Sequence, residues 1–66
     1  MSLVQYLGEN VKIICDEGKV WEGFICSYID PDDNDPEVEA IIMDHKPSGS
    51  LIEFREEEIA SIEIVE

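Results

Sequence analysis

The sequence predicts an all-β fold, a small five-stranded bent antiparallel barrel preceded by a short N-terminal helix, in one domain covering residues 1–66. Three observations carry that expectation. Apolar residues recur with a period of two over most of the chain, the pattern of half-buried strands. Turn-forming stretches at Asp16-Glu17-Gly18-Lys19, Asp30 to Glu37 and His45 to Gly49 cut those runs into strand-sized pieces. One run, Lys19 to Ile29, carries large apolar residues on both faces, which a strand bent around a core requires and a one-sided hairpin does not.

Taken in order, Ser2 is placed to cap a helical turn through Leu3, Val4, Tyr6 and Leu7, which stops at Gly8. A helix that short must pack on something to persist. The period then changes to two, with Val11, Ile13 and Cys15 on one face of a first strand and Lys12 and Ile14 on the other. The second strand, Lys19 to Ile29, has Gly23 at its middle, where a bend or a close backbone approach is easiest. After the Pro-bounded acidic loop come Val38 to Asp44 as the third strand and Leu51 to Arg55 as the fourth. Glu56-Glu57-Glu58 reads as a tight polar connection and Ile59 to Val65 as the fifth strand. Five short strands with one small helix fit a small barrel better than a sandwich.

A domain of this size buries only about 60% of the surface its unfolded chain exposes, so it needs a staple, a metal, unusually good packing or self-association. The first two can be judged from the sequence. With Glu17-Gly18 as a two-residue turn, Asp16 faces Lys19 and Cys15 faces Val20, leaving Cys26 too far along the ladder to bridge Cys15. Both cysteines therefore read as free thiols. Free thiols, no signal-peptide pattern and no long apolar run point to a cytoplasmic protein with no membrane partner.

Seventeen acidic residues stand against Lys12, Lys19, Lys46 and Arg55, a formal net charge of −13. Phosphate backbones and anionic membranes are repelled by such a surface unless the few cations are focused in one place. In Asp30-x-Asp32-x-Asn34 the chain starts the spacing of a calcium-binding loop, but Asp35 stands where the sharp turn needs Gly and Ile41 where a bidentate Glu is needed. His45 is the single histidine and lies far from both cysteines in the expected layout, so neither a zinc site nor a nucleophile-base pair is supported. No catalytic residue, metal site or cofactor is assigned. An enzyme is not expected. Trp21 is the aromatic residue best placed to reach an interface, because Val20 and Phe24 already supply the opposite face of its strand.

In order and spacing these elements resemble the Sm-like (LSm) family of small bent barrels. Leu7-Gly8-x-x-Val11-x-Ile13, Gly18, Gly23, Ile25 and Tyr28 follow its first motif, and Phe54-Arg55-x-x-x-Ile59-x-x-Ile62 follows the second. The glycine and apolar spacing is partly shared by other SH3-like barrels. Two positions depart from the pattern: Ile29 follows Tyr28 where the family has Asp, and Glu56 replaces the Gly after the Arg. The resemblance implies a homo-oligomeric ring built by pairing the fourth and fifth strands of neighbouring copies. It also implies Asn34 and Arg55 as RNA-contacting residues around a central opening. For the interface the expected residues are Trp21, Leu51, Phe54, Ile62 and Ile64. Charge disfavours RNA, so the expected function is an acidic self-assembling binding module with weak or no generic RNA binding. The other reading is an acidic protein-interaction module docking a basic partner, including mimicry of nucleic acid.

Overall fold

The computed structural model describes residues 2–33 and 38–65. Five antiparallel strands form one sheet: β1 (Asn10–Cys15), β2 (Val20–Ile29), β3 (Ala40–His45), β4 (Ser50–Arg55) and β5 (Ile59–Ile64). Their order across the sheet is β4-β3-β2-β1-β5. Each strand lies within a residue or two of its expected bounds. The first two residues expected in β3, Val38 and Glu39, instead precede it.

The expected closed barrel is not formed. Strands β4 and β5 are the two edges of an open sheet and do not hydrogen-bond to each other. A flat sheet of this order would hold its edge strands about 19 Å apart, four spacings of ~4.8 Å. The 3₁₀ turn Glu56–Glu58 nevertheless joins them directly. The sheet must therefore curl, and its inner face becomes the core.

Alternation decides what fills that core. Val11 and Ile13 of β1, Ile25 of β2, Ile41 and Met43 of β3, Phe54 of β4 and Ile59 of β5 are buried together. Two irregularities let the strands bend. The β2–β3 register shifts between Ile25 and Ser27, so Cys26 is the extra residue, and the β1–β5 register shifts between Ile14 and Cys15. A residue inserted on one side of a ladder bends the strand that carries it. The register shift thus puts a bend in β2 at Cys26. Gly23 is a point of close approach: a Cβ there would lie 2.6 Å from Met43 Cγ and 2.7 Å from the Asp44 carbonyl oxygen.

The N-terminal helix of the sequence reading is a single 3₁₀ turn, Val4–Tyr6, entered at Leu3 with no side-chain cap. Ser2 is not its cap. Three residues are too few to hold an α-helix, and the Gly8 N–H is already committed to the Ile25 carbonyl, 2.8 Å away, at the start of the ladder. Leu3 is fully buried in the core. The first hairpin also differs from expectation. Gly18, with φ of 89°, closes a three-residue loop in which the Cys15 N–H reaches the Lys19 carbonyl and Ile14, not Cys15, faces Val20. Glycine takes that left-handed conformation without the Cβ penalty other residues meet. Cys15 and Cys26 are free, as expected.

Gly23→Val should lower stability by at least about 1 kcal/mol, because the Asp44 backbone cannot move aside as a side chain tip can. Urea denaturation followed by Trp21 fluorescence checks it; an unchanged midpoint would show that β3 is not held against Gly23.

Candidate functional site

Glu39, which the sequence reading passed over, is the polar centre of the molecule. One oxygen, Oε1, accepts the Leu3 backbone N–H at 3.0 Å and the Tyr28 hydroxyl at 2.8 Å. The Glu39 backbone carbonyl accepts the Glu56 N–H at 2.9 Å. A single residue before β3 therefore ties together the N-terminal segment, the end of β2 and the β4–β5 turn. Tyr28 faces Ile41 across β2 and β3, so its ring packs on the core while its hydroxyl reaches Glu39.

These contacts set the ionisation of both partners. The Leu3 N–H foremost, then the Tyr28 hydroxyl, hold the Glu39 carboxyl below its ordinary value against partial burial, which acts the other way. Tyr28 is pushed up to about 12, chiefly because its hydroxyl donates to Glu39 and loses that bond on ionising.

Arg55 ends β4 beside this cluster. Its partner across the ladder is Ala40, which follows Glu39, and its backbone N–H donates to Glu58 Oε1 at 2.9 Å. The end of the β2–β3 connection and the start of the β4–β5 turn are thus neighbours, and Arg55 is set among Glu39, Glu56 and Glu58. Asn34 lies outside the described residues. Of the acidic loop, the Asp30 carboxylate is engaged locally, accepting the Asp32 N–H at 3.1 Å.

The five expected interface residues do not form one patch. Phe54 is only 4% exposed and belongs to the core, because β4 alternation and its pairing with Ile41 turn it inward. It cannot present a ring to a partner without unfolding the strand. Trp21 is half-buried against the core, with its ring edge-on to His45 at 5.0 Å and to Phe54 at 6.0 Å. Leu51, 67% exposed, points to the outer face, since it pairs with Asp44 while its neighbour Ile52 pairs with the buried Met43. Ile62 and Ile64 pair with Ile13 and Val11, so they share the core-facing side. Ile64 remains 49% exposed because no strand lies beyond β5 to cover it.

A small open cleft is lined by Cys15, Asp16, Glu17 and Glu58. Burial first, and the carboxylates of Glu17 and Glu58 next, push the Cys15 thiol up, so it is held protonated rather than as a reactive thiolate. Among the described residues, no group of three or more His, Cys, Asp and Glu is placed to hold a metal ion. Among the described residues, no helix is long and apolar enough to cross a membrane.

Comparison with protein-family models, curated proteins and solved structures finds no match. The functional reading therefore rests on the geometry above.

The two shifted groups stabilise the fold over opposite pH limits. Glu39 titrates lower folded than unfolded, so its contribution is full above the ordinary 4.5 and is lost as pH falls through the folded value. Tyr28 titrates higher folded than unfolded, so its contribution is full below 10 and is lost as pH rises through about 12. Glu39→Ala, which removes the acceptor as well as the charge, should flatten the acid limb of the stability profile and return the Tyr28 phenolate absorbance transition toward 10. An unmoved tyrosine titration would show that Glu39 does not hold the hydroxyl.

Proposed function

We propose that this chain is a small acidic Sm-like binding module that self-associates through its open sheet edges and has weak or no affinity for generic RNA. The observation that carries the reading is the pairing of two unsatisfied edges, β4 and β5, in one short chain, with Ile64 half-exposed on the core-facing side of the second. An edge strand offers a row of free N–H and C=O groups, and a second copy can complete both rows at once, β4 of one against β5 of the next. Ile62 and Ile64 would then gain the neighbour that the open sheet denies them. Self-association also answers the size problem, since neither a disulfide nor a metal cluster is present among the described residues.

Two further features fit the Sm-like reading. The β4–β5 connection is a single tight turn following Arg55, and the end of the β2–β3 connection is hydrogen-bonded to it through Glu39 and Glu56. That is the juxtaposition the resemblance requires of its two RNA-contacting motifs. The chemistry there is nonetheless acidic. Free thiols at Cys15 and Cys26 fit a reducing, cytoplasmic setting.

Sedimentation at micromolar concentration should show a species larger than the monomer, and Ile64→Asp should return it to the monomer. Because every copy brings a net charge of −13, added salt should favour assembly by screening the repulsion between copies. A wild-type chain that remains monomeric at millimolar concentration in high salt overturns the reading.

For RNA, each phosphate contact on a single strand contributes a salt slope of about −0.7. With Arg55 as the one motif cation, labelled U-rich and A-rich oligonucleotides should bind weakly or undetectably at physiological salt, and Arg55→Ala should remove what remains. Sub-micromolar binding dependent on Arg55 would instead make RNA the ligand.

A further inference from the structure

The outer face of the sheet carries a row of two apolar residues with a carboxylate between them, which the self-association reading leaves unused. Phe24 pairs with Asp44 and Asp44 with Leu51, so these three side chains lie in line across β2, β3 and β4 on the side away from the core. Phe24 is 37% exposed and Leu51 67%. Two strand spacings separate them, about 10 Å. Apolar residues seven apart on one helix face are separated by nearly the same distance, about 10.5 Å at 1.5 Å per residue.

Charge decides what kind of segment fits that row. Glu22 precedes Phe24 by two residues on β2, and Glu53 follows Leu51 by two on β4. Since β2 and β4 are each antiparallel to β3, they run in the same direction, and the two carboxylates flank the row on opposite sides, each about 7 Å along its strand. Asp44 stands between the apolar anchors. Its ion pair with Lys46, at 3.2 Å, involves an ammonium on a side chain 82% exposed, a contact of the kind that contributes little and can be exchanged. Lys12 faces Glu22 from β1 and lies outside the row. A second copy of this chain would set Glu22, Asp44 and Glu53 against acidic residues of its own kind. Like charge on both sides disfavours a self-contact through this face.

We propose that the face around Phe24 and Leu51 docks a basic amphipathic helix of a partner protein, with two apolar anchors about two turns apart seated on Phe24 and Leu51 and lysine or arginine on both flanks meeting Glu22 and Glu53. The mode is an apolar helix face laid on a complementary surface, with anchors providing affinity and charge setting orientation and on-rate.

The test uses the full chain and three synthetic peptides: a lysine-rich helix former with leucines seven apart, a scrambled peptide of the same composition, and a version with glutamate in place of lysine. Backbone amide shifts are followed on titration, in the wild type and in Ile64→Asp. The designed peptide should move Phe24, Asp44 and Leu51, bind both proteins equally and bind at least about tenfold more tightly than the scrambled one, a difference of ~1.4 kcal/mol. The glutamate version should not bind. Leu51→Ser, at a position too exposed to threaten the fold, should weaken the designed peptide by a similar factor. Equal affinity for the scrambled peptide, indifference to Leu51→Ser, or no binding by the folded chain overturns the proposal. Because Ile64→Asp removes assembly without touching this face, loss of binding in that variant alone would place the peptide at the edges instead and also overturn it.

Discussion

Three residues, Glu56 to Glu58, join the opposite edges of a five-stranded sheet, and the rest of the molecule follows from that short connection. A 3₁₀ segment of three residues advances about 6 Å, far less than the width of the sheet it must bridge. Curling is the response, and it sorts each strand into a core-facing side and an outer side. The extra residue in β2 at Cys26 and the shifted register between β1 and β5 provide local bending. Glu39 then fixes the turn to the remainder by its carbonyl and fixes the N-terminal segment by its carboxylate. Leu3 enters the core as part of the same arrangement, so the connection, the clamp and the core are mechanically linked.

Among the described residues, no polar or charged one is buried in the core so formed. The described carboxylates therefore lie at the surface and at partly exposed positions such as Glu39. That placement eases the cost of acidic charge in the folded chain, because groups so placed keep most of their hydration. It also shifts the cost to association. Contacts between copies and contacts with phosphates oppose the same repulsion, whereas contacts with cationic segments gain from it.

Much of this was legible in the residues. Period-two alternation located all five strands, and free cysteines followed from spacing alone, although the turn register was displaced by one residue. That error came from reading Glu17-Gly18 as a two-residue turn, when the positive φ of Gly18 closes a three-residue loop. Phe54 is expected at the interface because it lies on β4, a strand that the resemblance pairs with a neighbouring copy, yet its pairing with Ile41 fixes it inward. Arg55 was readable as a motif residue, but its acidic setting was only partly so: Glu56 adjoins it in sequence, while Glu39 is brought close by the fold. The Glu39 clamp left no sequence signal, since its bond to Leu3 spans 36 residues and a lone Glu after a proline-rich acidic loop looks like solvated surface. The failure of the sheet to close into the expected barrel is equally hidden, because closure depends on whether the two edges meet in register.

The open seam and the acidic surface make better sense together than apart. A five-stranded sheet that leaves β4 and β5 unpaired risks adding any available strand. Closing the sheet on itself would remove the risk and would also remove the means of self-association. The chain instead places Glu53 on β4 and Glu63 on β5, so each open edge carries a charge between its apolar residues. Flat, uninterrupted apolar edges pair indiscriminately, and a like charge repels a misaligned copy. If copies pair through these edges as proposed, selectivity would come from the balance between a short-range gain, covering Ile62 and Ile64, and a long-range repulsion that every approach must overcome. Salt screens the repulsion and not the gain, so ionic strength would act on pairing at the edges while leaving unchanged the core-facing packing that holds each copy together.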